Sequence, residues 1–150
     1  MIAIVQLLNS GDVSIKGNNI SQRGINTGLI VFFGVSKTDT EKEVEKISAK
    51  LIKLRIFPDK NQKMNLDIQS VDGEVLLISQ FTLFGDPKGS NRPDFTKAAN
   101  KDLAIKLYEL FADKLTKAGI SVTKGYFGEH MRIQADLDGP VTIILDSDKL

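Results

Sequence analysis

The stretch GLIVFFGV, residues 28 to 35, narrows the possible folds most: an apolar run between glycines, short enough to be a buried strand. Such a strand needs a sheet around it, and the rest of the chain supplies one. Residues 2 to 8 are strongly apolar, and Val13 and Ile15 alternate with polar neighbours. GNN at 17 to 19 reads as a turn into another short strand. IQSVDGEVLLIS reads as a hairpin with Asp72-Gly73 at its tip. Further strands are expected near 121 to 126, 130 to 137 and 141 to 146.

Two helices interrupt this pattern. Thr40 and Glu43 form a capping-box pair ahead of Val44, Ile47, Leu51 and Leu54, and Pro58 and Asp59 end the segment. Asn100 caps the second helix, Leu103, Leu107, Leu110 and Phe111 line one face, and Gly119 suits the position just past its end. The order β-β-β-α-β-β-α-β-β-β does not alternate regularly, which argues against a doubly wound parallel fold. The expected class is α+β: curved, largely antiparallel, barrel-like sheets covered by two amphipathic helices.

With 150 residues, 41% hydrophobic and 26% charged, the chain fits one soluble domain spanning 1–150. No apolar run approaches the length of a membrane span, and MIAIVQLLNSGD reads as a first strand instead of a signal peptide. Zero cysteines exclude disulfides and thiol chemistry and fit a reducing cytoplasm. A net charge of +1 gives no global field to steer the chain to nucleic acid, and neither DNA nor a membrane is an expected partner. Any polyanion would be held locally, best by Lys88, Arg92, Lys97 and Lys101 around a Gly/Pro-rich loop.

Most catalytic constellations are absent. His130 is the sole histidine, at a strand start without a carboxylate partner evident in the sequence. Metal sites built from several His or Cys are excluded by count, and no phosphate-cradling glycine motif is present, so no metal or cofactor is expected. What remains are small hydroxyls and amides at strand ends. LLISQFTLFGD runs from an apolar strand into Ser79, Gln80, Phe81 and Thr82, polar groups that need partners or an exit from the core. In DLDGPVTIILDS, Val141 to Leu145 reads as a buried strand, with Gly139 and Pro140 as a strand-opening turn. Thr142 falls on the same strand face as Pro140.

SQFTL (79 to 83), KGSNRPDF (88 to 95), GYFGEHM (125 to 131) and DGPVT (138 to 142) together resemble the D-aminoacyl-tRNA deacylases. LRIFPDKNQKMNLDI (54 to 68) extends the resemblance over the whole chain. The resemblance implies hydrolysis of the ester joining a D-amino acid to the 3′ end of tRNA, by a homodimer. It implies a pocket of Ser79, Gln80, Phe81, Thr82 and Thr142, completed by a Gly139-Pro140 pair from the other subunit with a cis peptide bond. Phe127 and Met131 would lie near the terminal adenosine, with Lys88 and Arg92 toward the tRNA. The family pattern has Arg where this chain has Leu7, and Asn where it has Leu137. That Arg is associated with the orientation of the Gly-Pro carbonyls. Ser79 with Phe81 matches the D-specific branch better than the branch that accepts L-alanine.

The chemistry is feasible without a histidine triad, because an aminoacyl ester beside an ammonium is already activated. Backbone amides acting as an oxyanion hole are worth roughly 10²- to 10³-fold each. Two alternatives use the same residues: a deacylase with relaxed chirality, and a non-catalytic module that binds the tRNA 3′ end.

Overall fold

The computed structural model describes residues 1–17, 22–89 and 91–150. Asn18 and Asn19 of the expected GNN turn lie outside the described residues. The chain opens with strands β1 (Ile2–Ile15), β2 (Gln22–Ile25) and β3 (Gly28–Gly34). Helix α1 (Glu41–Ile52) follows, then the short strands β4 (Phe57–Pro58) and β5 (Met64–Leu66) and strand β6 (Glu74–Ser79). Helix α2 (Lys101–Lys117) precedes β7 (Ser121–Lys124) and β8 (Met131–Asp146). Among the described residues, six strands form one sheet in the order β2-β1-β3-β6-β7, with β8 along the other side of β1; β4 and β5 pair separately.

The class is α+β, as the pattern of elements predicts, and the sheet is mixed: β3–β6 and β6–β7 are parallel, the pairings of β1 antiparallel. The hairpin expected at Asp72-Gly73 does not form. Gln69–Val71 is a turn of 3-10 helix, Asp72 takes a left-handed φ of 50°, and the Gly73 N–H donates to the Ile68 carbonyl at 2.9 Å. Ile68 is fully buried, so the segment before the turn enters the core and cannot lie alongside β6. Nor are residues 130–137 and 141–146 separate strands. β1 and β8 run against each other from Ile2↔Asp146 to Ile15↔Met131, and each keeps the other continuous.

Local signals place both helices. The Thr40–Glu43 capping box is present, and Asn100 accepts from the Leu103 N–H at 2.9 Å. The first helix stops at Ile52, well short of Pro58, with Leu54 beyond its end. Gly119, φ 87°, follows the last turn of α2.

β3 and the middle of β6, Val75 to Ile78, are apolar because both their faces are covered. Toward the helices, Leu29, Val31, Phe33, Val75 and Leu77 pack with Val44, Ile47, Leu107 and Phe111. Inside the curve, Ile30, Leu76 and Ile78 meet Leu8, Val13 and Ile25. Each fully buried side chain of this size contributes about 1.5–3 kcal/mol. The inner face is left open at one end. One register row runs Ile144, Ile4, Phe32, Ile78 across β8, β1, β3 and β6. Ile78 in this row is buried, Ile4 and Phe32 are half-buried, and Ile144 is 65% exposed. Val141 to Leu145 is therefore a half-exposed strand and not a buried one: β8 has β1 on one side, and its outward residues face no element of this chain.

Candidate active site

β6 carries its ladder to Ser79, and the Gln80 N–H still donates to the Phe33 carbonyl at 2.9 Å. There the backbone leaves the sheet into a turn of 3-10 helix, Phe81–Phe84. Opening a helical turn leaves the first N–H groups without partners in the turn. Those are the amides of Phe81 and Thr82; the next one, Leu83, already donates to the Gln80 carbonyl. The Gln80 side-chain amide donates to the Thr82 hydroxyl and ties the first residues of the turn together. The polar interruption in LLISQFTLF thus marks the end of a central strand, where it delivers two backbone donors.

These residues line a cavity of about 520 Å³. Ser79, Gln80, Phe81 and Thr82 share its lining with Phe127 and Met131. The floor reaches the helix-side core at Phe33 and Tyr108. Tyr108 is 2% exposed and donates its hydroxyl to the Leu77 carbonyl at 2.8 Å. Burial raises its pKa well above the usual phenol range, with the nearby Glu109 carboxylate acting in the same direction, so it remains a donor. Its ring meets Phe127 edge to face, centroids 5.5 Å apart, which fixes the aromatic wall of the cavity. Met131 is held as well: its sulfur accepts the Tyr126 N–H at 3.3 Å.

The cavity also contains residues outside the expected site. Glu129, which the sequence did not single out, and His130, the sole histidine, are both exposed and lie in its lining between Phe127 and Met131. The GYFGEHM motif contains them, but neither residue looks catalytic by spacing alone. Tyr108 and Ala104 arrive from α2, and no local sequence signal ties that helix to the cavity.

The remaining expected site residues lie elsewhere in the chain. Thr142 is exposed on β8, where it accepts a hydrogen bond from the Gln6 side chain at 3.1 Å. Lys88 and Arg92 are exposed on the loop between the 3-10 turn and α2. Gly139 and Pro140 are exposed too, and they form no strand-opening turn: they lie inside β8. Between the pairs Gln6↔Thr142 and Leu8↔Leu137, β1 has Leu7 alone while β8 has residues 138–141, so β8 bulges outward. The Gly139-Pro140 peptide bond is cis. Gly139 has φ 119°, and a Cβ there would lie 2.4 Å from the Val141 nitrogen, so a side chain is excluded. Leu7, opposite the bulge, is 4% exposed within the helix-side core, and Val141 packs against the same cluster. An apolar seat supports the bulge from below, and the Gln6–Thr142 bond closes its end. Leu137, at the other end, is 39% exposed.

A second cleft, about 570 Å³, is formed by residues 10–12, 24–26 and 134–136 and holds none of the expected site residues.

A curated D-aminoacyl-tRNA deacylase of Clostridioides difficile (strain 630) is 45% identical over 149 residues, 99% of each chain. One from Thermotoga petrophila is 45% identical over 150 residues, covering 100% of this chain and 99% of the relative. Among solved structures, the c-Myc DNA Unwinding Element Binding Protein superposes with a TM-score of 0.88 at 36% identity, covering 97% of this chain and 98% of that one. A probable eukaryotic D-amino acid tRNA deacylase shares the fold, with a TM-score of 0.82 at 16% identity over 96% of this chain and 97% of that one. The curated relatives are thus named as hydrolases of an aminoacyl ester. The family described as D-Tyr-tRNA(Tyr) deacylase matches residues 4–146, and the chain belongs to it.

Proposed function

We propose that this protein hydrolyses the ester of D-aminoacyl-tRNA, releasing the D-amino acid and free tRNA, and that it acts as a homodimer. The observation that carries the reading is the cavity itself, in a chain of this family. It brings Phe81 and Thr82, whose amides open the 3-10 turn, into one lining with the aromatic and thioether wall of Phe127 and Met131. The wall takes the terminal adenosine. The two amides hold the ester carbonyl and stabilise the oxyanion that forms when water attacks. The vicinal 2′-hydroxyl of the ribose assists that water, which puts the general base on the substrate. Thr142 orients neighbouring groups through its bond with Gln6 and is not a nucleophile, since a threonine hydroxyl is weak without an adjacent base.

Chirality is controlled by exclusion. L and D esters offer the same atoms, so a rigid obstruction discriminates better than attraction. Gly139 and Pro140 of one subunit enter the cavity of the other and occupy the space an L side chain would need. Two observations support this: both residues are exposed on the bulge and take no part in lining their own cavity, and the half-covered row at Ile4, Phe32 and Ile144 offers a second copy an apolar surface.

Incubation with D-tyrosyl-tRNA and L-tyrosyl-tRNA tests the reading; D-selective release is expected, with slower release from glycyl-tRNA, which has no side chain to reject. Binding without hydrolysis would leave only a module for the tRNA 3′ end. Rapid hydrolysis of L-alanyl-tRNA would mark relaxed chirality. Thr142→Ala is expected to keep the deacylation rate within about threefold, and trapping an acyl-threonine would overturn the assignment of the oxyanion to backbone amides.

A further inference from the structure

Phe81 faces two ways. It lines the cavity, yet 58% of it is exposed, and its ring packs edge to face on Phe95, centroids 5.2 Å apart at 68°. Phe95 is itself 37% exposed. A pair of large aromatics at the mouth of a cavity is costly to leave in water unless something covers it.

Phe95 is also held in place. Asp86 and Asp94 exchange backbone hydrogen bonds of 2.7 and 2.9 Å across the loop, and Lys97 joins the Asp86 carboxylate at 3.1 Å. The Asp94 carboxylate accepts the Thr96 N–H at 2.6 Å, and the Phe95 carbonyl accepts the Ala98 N–H at 3.0 Å. The ring lies against the bare backbone of Gly85, where a Cβ would come within 2.9 Å of Phe95 Cε1. An exposed aromatic fixed from several sides loses little entropy when a ligand stacks on it. The carboxylates of this loop are engaged within it, while Lys88 and Lys101 stand exposed on the same loop and at the start of α2. A fixed aromatic face with cations around it is how proteins hold single-stranded nucleic acid, through base stacking and phosphate attraction.

We infer that Phe95, with Phe81, is a stacking platform for the unpaired base immediately 5′ of the terminal adenosine of the tRNA. This rests on the deacylase reading, which places the terminal aminoacyl-adenosine in the cavity. Phe81 is the exposed aromatic of that lining, and with Phe95 packed on its ring it offers the next nucleotide a surface as the strand leaves the cavity. Lys88, on the same loop, serves the phosphates that follow. The platform recognises RNA by stacking and so does not depend on which amino acid is attached.

The test compares D-tyrosyl-tRNA with D-tyrosyl-adenosine, which lacks the platform's base, in the wild type, Phe95→Ala and Phe95→Trp. One stacked base corresponds to roughly 5- to 100-fold in affinity. Phe95→Ala should lower the kcat/KM preference for the tRNA over the nucleoside ester by that factor, and Phe95→Trp should restore it. Equal losses on both substrates, or no loss on either, would overturn the platform and leave Phe95 as packing for Phe81. Binding of uncharged tRNA ending in CCA reads the platform without hydrolysis. There Phe95→Ala should weaken binding by a similar factor, and unchanged binding would sink the inference even if deacylation is intact. A wild type that binds CCA-ended tRNA through Phe95 but hydrolyses neither ester would leave the platform standing and defeat the deacylase reading.

Discussion

Two segments of this chain leave their strands, and they leave in opposite senses. At 79–84 a central strand ends against its own core, and the turn that follows lines a cavity within the same chain. At 138–141 a strand continues, and the extra residues bulge into solvent without joining the lining of that cavity. The first segment shares its lining with Phe127, Tyr108 and Met131, while Phe81 and Thr82 keep an exposed side; the second touches its own chain chiefly through Val141 and the seat at Leu7. On the proposed reading the turn serves the cavity of its own chain, whereas the bulge acts on that of a second copy.

The most direct attack on this contrast is Gly139→Ala. With φ at 119° and a Cβ forced to 2.4 Å from the Val141 nitrogen, the bulge must shift. A displacement of about 1 Å at a positioning group costs roughly 100-fold, so the D-over-L ratio measured with tyrosyl-tRNA should fall by about that much. The melting temperature should drop only a few degrees, as expected for strain of about 1–3 kcal/mol. A preserved ratio would show that the bulge takes no part in selection. Ile144→Asp comes next. It puts a charge into the half-open row, and sedimentation should show a shift toward monomer with the D-over-L preference lost on dilution; an unshifted sedimentation coefficient would remove that row from any interface.

On the inward side the expected effects are smaller. Tyr108→Phe removes one donor from the Leu77 carbonyl, which keeps the Gly125 N–H at 2.8 Å. A net loss of about 1 kcal/mol, or roughly 2–4 °C in thermal melting, is expected. His130→Asn should change kcat by less than about threefold, because a base supplied by the substrate leaves the imidazole no proton to move. A loss of about 100-fold or more would instead give His130 the role of general base.

What could be read in advance divides along the same line. Thr40 and Asn100 announced their helices because a cap is settled within three residues, and the motifs of the inward segment are contiguous. Asp72-Gly73 misled because a turn signal is local, while the partners of β6 are strands β3 and β7, distant in sequence and parallel to it. Gly139-Pro140 looked like a boundary because only the opposite strand, with a single Leu7, shows that the ladder resumes beyond it. Tyr108 was invisible as a cavity residue for a similar reason: its spacing marks a helix face turned to the core, and only the sheet order sets that face beneath Phe127.

The seat at Leu7 has a consequence for how the molecule answers to salt. Where a charged residue would tie the bulge to an electrostatic contact, a buried leucine ties it to packing, which ions in solution do not screen. Contacts from Lys88, Arg92 and Lys101 to phosphates would be screened, and weakened steeply, by the same ions. On the proposed reading, ionic strength would then be a dial that loosens the hold on the nucleic acid while the discrimination between mirror-image substrates stays where it was.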